Sequence, residues 1–110
     1  MVLDLLGPSL EELFSKCGHR FSLRTTLLLA DQMLERIDMM HAHHLIHRDI
    51  KPANFTIGAP LHNSGSAEAV DPKSRKVFVI DFGLSKRYRH PRNLSHLCYR
   101  DGRSLTGTPR

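Results

Sequence analysis

Asp49, Lys51 and Asn54 lie within the run His47-Arg48-Asp49-Ile50-Lys51-Pro52-Ala53-Asn54, and a further acid opens Asp81-Phe82-Gly83. These residue types suit phosphoryl transfer. Moving a phosphoryl group onto a hydroxyl needs a carboxylate beside the attacking oxygen, a cation on the phosphate and hard oxygen ligands for magnesium. Asp49, Lys51, Asn54 and Asp81 supply these in that order. The histidines at 41, 43, 44 and 47 also invite a metal reading, because His41, His44 and His47 repeat at one-turn spacing. A closed ligand set is what zinc requires, and histidines at the end of a helix are better explained by its terminal carbonyls and dipole.

The first run follows the catalytic-loop pattern of protein kinases across its eight positions, and Asp-Phe-Gly follows the strand-like Val77-Phe78-Val79-Ile80. Gly107-Thr108-Pro109 closes the segment as activation loops commonly do. Around these, Leu5-Leu6-Gly7-Pro8-Ser9-Leu10-Glu11-Glu12-Leu13-Phe14, Phe21-Ser22-Leu23, Leu27-Leu28-Leu29-Ala30-Asp31-Gln32-Met33 and Asp81-Phe82-Gly83-Leu84-Ser85-Lys86-Arg87-Tyr88-Arg89 are similar to the casein kinase 1 family of serine/threonine protein kinases. The resemblance spans nearly the whole chain. It departs at Ala53, where the family usually has an acid, at Pro109, usually Ala, and at Thr56, where a Leu commonly floors the adenine pocket.

The resemblance implies an α+β, protein-kinase-like fold using ATP and Mg2+. Asp49 would accept or orient the substrate hydroxyl proton, Lys51 would neutralise the transferring phosphate, and Thr108 would bridge the two. Asn54 and Asp81 would hold magnesium. Leu3, Asp4, Leu5, Leu6 and Gly7 would form the hinge facing adenine, with Leu3 as gatekeeper and with Thr56 and Ile80 lining the nucleotide site. His47 would pack the loop and take no part in proton transfer. Arg48, Lys86 and Arg103 would form one anion site and Arg110 part of a second, suited to acidic or phosphoprimed protein substrates.

At 110 residues the chain is about half the length such a domain needs. No Gly-x-Gly-x-x-Gly and no Val-Ala-Ile-Lys strand occurs. The chain therefore reads as a fragment comprising the hinge and the first part of the mainly helical large lobe: 1–8 hinge, 9–46 two helices, 47–57 catalytic loop and strand, 58–76 polar insertion loop, 77–110 strand, Asp-Phe-Gly and activation segment. Alone it is expected to be inactive and poorly folded; complete, it is expected to act as a monomer. A noncatalytic, pseudokinase-like remnant or scaffold is the alternative, which a missing upstream glycine-rich strand and strand lysine would favour.

Composition agrees with a globular piece. Apolar residues make up 40% without a long uncharged run, and Met1 to Leu6 contains Asp4 and lacks a basic leader, so neither a membrane span nor a signal peptide is expected. The two cysteines, Cys17 and Cys98, show no paired spacing, which points to a reduced, cytoplasmic or nuclear setting. The net charge of +5 gathers beyond Gly83, where Lys86, Arg87, Arg89, Arg92, Arg100, Arg103 and Arg110 face Asp101 alone. Such a cluster attracts anions. Without an aromatic stacking series, phosphate or acidic peptide suits it better than nucleic acid.

The positioning elements follow from local signals. Ser9 and Glu12 form a capping box for a short helix with Leu10, Leu13, Phe14 and Cys17 on one face, ended by Gly18. Ser22 caps a longer scaffold helix, whose apolar stripe is expected at Leu23, Leu27, Ala30, Leu34, Ile37 and His41. That helix delivers Leu45 and Ile46 into the catalytic loop. Phe55 to Ile57 and Val77 to Ile80 read as strands, joined through the breaker-rich stretch 58–76, expected to be a tolerated surface loop.

Overall fold

The computed structural model describes residues 4–59, 75–98 and 100–108. The elements run β1 (Leu6–Ser9), α1 (Leu10–Lys16), α2 (Leu23–Ala42), β2 (Leu45–Ile46), a 3-10 turn (Pro52–Asn54), β3 (Phe55–Gly58), β4 (Val77–Val79), a second 3-10 turn (Phe82–Leu84) and β5 (Lys86–Arg87). Most of the expected loop 58–76 lies outside the described residues. Among those described, no helix is long and apolar enough to cross a membrane.

β3 is the centre of an antiparallel sheet in the order β1-β3-β4, with Phe55 opposite Val79 and Ile57 opposite Val77. Because strand side chains alternate, Phe55 and Ile57 share one face with Val77 and Val79. That face meets the helices. Leu10, Phe55 and Val77 form the buried centre, and Leu13, Leu29, Met33 and Ile37 pack around it. Strand β1 was not expected within the hinge region. It forms because Gly7 approaches β3 closely: a Cβ there would meet the Gly58 carbonyl oxygen at 2.9 Å, which only glycine avoids.

The expected caps are present. Ser9 and Glu12 bond reciprocally, with Glu12 N–H donating to Ser9 Oγ at 3.2 Å and Ser9 N–H to Glu12 Oε2 at 2.7 Å. The Ser9 hydrogen bonds pull the Glu12 carboxyl below its usual range. Ser22 Oγ accepts from Thr25 N–H at 3.1 Å. Gly18 follows α1 in the left-handed region at φ +67°.

The expected helix faces need correction. In α1 only Leu10 is buried and Leu13 half-buried, whereas Phe14 and Cys17 are exposed. Phe14 instead packs edge-on against Phe21 and His19. In α2 the stripe expected at Leu23, Leu27, Ala30 and Leu34 is the solvent side, with Leu23 75%, Leu27 60% and Leu34 67% exposed. Leu29, Met33 and Ile37 face the core instead, and Met40 is buried. The helix carries two adjacent apolar arcs, both at helical spacing, and periodicity alone does not say which of them the sheet covers. Ile37 belongs to both.

A second, two-stranded sheet, unforeseen in sequence, pairs Leu45 with Arg87 and Ile46 with Lys86. It ties the entry of the loop that carries Asp49 to the segment after Asp-Phe-Gly. The same segment closes the C-terminal end of α2: Arg89 Nη2 donates to the His41 carbonyl at 3.1 Å, Arg89 Nε to His44 Nδ1 at 2.9 Å, and Tyr88 N–H to the His44 carbonyl at 3.1 Å. Burial and the nearby Arg89 hold the His44 ring below its usual pKa, and the neutral ring is the form that can accept from arginine. His43 Nδ1 lies 2.8 Å from the Met39 carbonyl, so the histidines serve the helix terminus.

Candidate active site

β2 passes directly into His47, whose side chain is buried at 3% exposure. Its Nδ1 accepts the Asp49 backbone N–H at 3.3 Å, and its Nε2 lies 2.9 Å from the Ile80 carbonyl. With Nδ1 accepting, Nε2 is the donor to the Ile80 carbonyl, and the ring joins the loop to the residue before Asp81. Arg48 adopts φ +70° and sends its Nε to the Leu84 carbonyl. Its bend turns Asp49 toward the residues that follow.

Pro52 begins the 3-10 turn, where its fixed φ is favourable and its missing N–H costs nothing. The turn brings Asn54, 5% exposed, back over Asp49: Asn54 Nδ2 donates to the Asp49 carbonyl at 2.8 Å and to Oδ2 at 3.1 Å. Lys51 Nζ lies 2.9 Å from Asp49 Oδ2 and also donates to Thr108 Oγ1. Thr108 N–H donates to Asp49 Oδ1 at 3.0 Å and Thr108 Oγ1 to Oδ2 at 3.1 Å. Gly107 before it, at φ +130°, lies close to Arg48; a Cβ there would stand 3.2 Å from the Arg48 carbonyl oxygen. One carboxylate therefore gathers a cation and an amide from its own loop and a hydroxyl and backbone N–H from Thr108, far along the chain.

These donors favour the charged form. The Lys51 ammonium first, then the Thr108 hydroxyl, hold the Asp49 carboxyl down to about 2. Asp49 is thus an anion across the physiological range, a hydrogen-bond acceptor that aims a hydroxyl and a weak base toward a free one. Lys51→Met is expected to raise the Asp49 pKa toward its ordinary value, observable by titrating the carboxyl carbon resonance; a value that stays near 2 would assign the shift to Thr108 and Asn54 instead.

Ile80 N–H donates to the Asn54 carbonyl at 2.9 Å, which sets the second acid beside the loop. Asp81 takes the left-handed region at φ 62°, and its Oδ1 accepts Gly83 N–H at 3.3 Å. Since the Asn54 amide nitrogen is committed to Asp49, its carbonyl oxygen and the Asp81 carboxylate are the donors that this corner offers. An oxygen-only set of this kind fits magnesium.

The other expected residues are placed as follows. Asp4 and Leu5 are exposed ahead of β1, and Leu6 and Gly7 lie within it. Thr56 sits on the sheet face opposite the core, opposite Phe78, at 5% exposure and with its hydroxyl unpaired among the described residues. Leu3 and Arg110 lie outside those residues. Lys86 and Arg103 line one recess of about 670 Å³ with Arg87, Arg100, His90 and His96, whereas Arg48 is not among its lining residues. Arg87 and Arg100 belong to the basic cluster, but nothing in their spacing places them in this recess. Gln32, which bonds the entry of β4, gave no chemical signal in sequence, and Arg89, counted there only as a surface charge, bonds His41 and His44 instead.

A catalytic loop folded onto its own carboxylate, a second acid one strand away and the reach of Thr108 back to the first have a counterpart among known proteins. The family model of the protein kinase domain matches residues 1–102, and the chain belongs to that family.

Proposed function

We propose that the protein is a serine/threonine kinase of casein kinase 1 type, in which this chain spans the hinge to the activation segment of a longer catalytic domain. The observation that carries this reading is the Asp49 carboxylate held together by Lys51, Asn54 and Thr108. A serine or threonine hydroxyl of the substrate hydrogen-bonds to Asp49 and attacks the γ-phosphorus of ATP. The bond to the bridging oxygen breaks, ADP leaves, and the hydroxyl proton passes to the carboxylate as the new ester forms. A carboxyl held near 2 suits a late proton transfer, in which orientation matters more than basicity. Lys51 offsets charge on the transferring group. Magnesium, when bound by Asn54 and Asp81, neutralises the polyphosphate. Asp4 to Gly7 and Thr56 border the proposed adenine site; the polar Thr56 at its floor is expected to weaken purely apolar ligands there.

The recess with Lys86 and Arg103 supports acidic or phosphoprimed substrates, because four cations and two histidines line it. Arginine makes paired, charge-assisted bonds to phosphate, each of about 1.5 to 3 kcal/mol when well formed. In the complete enzyme, Lys86→Glu with Arg103→Glu is expected to lower kcat/KM on a phosphoprimed peptide at least about tenfold more than on its unprimed counterpart, roughly 1.4 kcal/mol. The preference is expected to weaken as salt rises. Equal losses on both peptides would assign the pair to activation-segment structure.

A further inference from the structure

α2 reaches both acids of the site. Its C-terminal end feeds β2 and the catalytic loop of Asp49, and its middle packs on β4, which ends at Val79, two residues before Asp81. At that middle the Gln32 side chain pairs with the backbone of the β4 entry. Val77 N–H donates to Gln32 Oε1 at 2.9 Å, and Gln32 Nε2 donates to the Arg75 carbonyl at 3.1 Å. A primary amide holds a donor and an acceptor in one plane, so it takes both backbone groups as a neighbouring strand would. Only one orientation of the amide serves; exchanging its nitrogen and oxygen would set donor against donor.

β4 needs such a clamp. It has three residues, and the connection between Gly58 and Val77 is too long for turn geometry to fix its register. A slip of one residue would turn Phe78 to the core, expose Val77 and Val79, and move Asp81 by about 3.3 Å along the strand. We propose that Gln32 is a positioning residue that sets the register of β4, and through it the place of Asp81 relative to Asp49. The link to catalysis rests on the reading of Asp81 as a magnesium carboxylate.

The test uses the full-length protein with Gln32→Met, which keeps length and apolar packing but loses both bonds, and Gln32→Glu, which keeps the acceptor and repels the Arg75 carbonyl. Amide hydrogen exchange at Val77 is expected to quicken about tenfold or more in Gln32→Met, and the Mg2+ concentration for half-maximal ATP binding to rise about fivefold, with kcat at saturating Mg2+ within about twofold of wild type. In Gln32→Glu a rise of about twofold in that Mg2+ concentration is expected. A residue needed only for stability would lower the melting temperature and leave the Mg2+ dependence untouched. Unchanged Val77 exchange in folded Gln32→Met, or unchanged Mg2+ dependence in both variants, overturns the proposal. If wild type binds no magnesium nucleotide while Val77 exchange still quickens in Gln32→Met, the clamp stands and the reading of Asp81 fails.

Discussion

Asp49→Asn in the complete enzyme is expected to slow phosphoryl transfer by about 10²- to 10⁴-fold, the usual range for losing a positioned acid-base group. The amide is nearly the same size, and the loop keeps its backbone fixings. Asn54 Nδ2 retains the Asp49 backbone carbonyl at 2.8 Å, and His47 still takes the residue's N–H. What disappears is one carboxylate oxygen, replaced by an amide nitrogen that faces either the Thr108 N–H or the Lys51, Asn54 and Thr108 side-chain donors, and with it the anion opposite Lys51. Both act mainly as charge and geometry develop toward the transition state, so nucleotide affinity should change little while kcat and kcat/KM fall together. Asp81→Asn is expected to differ by weakening magnesium nucleotide binding as well. Rapid-quench measurement beside nucleotide titration separates the two. Near-wild-type turnover by Asp49→Asn would remove the carboxylate from the chemistry.

The second large effect concerns folding. The 110 residues studied alone are expected to show no sharp cooperative melt by circular dichroism. α2 exposes Leu23, Leu27, Leu28 and Leu34, and beside it a groove of about 570 Å³ is lined by Leu10, Phe14, Phe21, Leu29, Met33 and Pro52. An apolar face of this extent calls for a covering surface. The buried apolar centre is small: among the described residues it comprises Leu10, Met40, Phe55 and Val77. A short chain already buries a low fraction of its surface, and burial of about 25 cal/mol per Å² leaves little margin once a helix face is left wet. The expected signature is helical ellipticity that fades gradually with temperature, together with self-association. A single sharp transition at a concentration-independent temperature would contradict it.

The convergence of Asp49, Lys51, Asn54 and Thr108 was legible in sequence because kinase loops depend on particular residue types at fixed spacing. Caps were legible for a similar reason: Ser9, Glu12 and Ser22 act on backbone groups within one turn. Gly18 was readable because a stop in the left-handed region favours glycine. What failed depends on distant partners. α2 offers two apolar arcs, and the choice between them is made by a sheet whose strands lie on both sides of that helix in the chain. β1 hides behind Gly7, whose value lies in the Gly58 backbone approaching it, and β2 pairs with β5 across some forty residues. Two-residue strands carry no periodicity to detect.

The central claim is tested most directly by the product of a single turnover. The full-length protein, ATP labelled at the γ-position, Mg2+ and a serine- and threonine-containing acidic peptide are mixed with enzyme in excess over nucleotide, and the peptide is analysed by phosphoamino acid content. Labelled phosphoserine or phosphothreonine is expected with wild type, and almost none with Asp49→Asn at equal nucleotide occupancy. Wild-type protein that binds magnesium ATP yet transfers no label to any hydroxyl would contradict it.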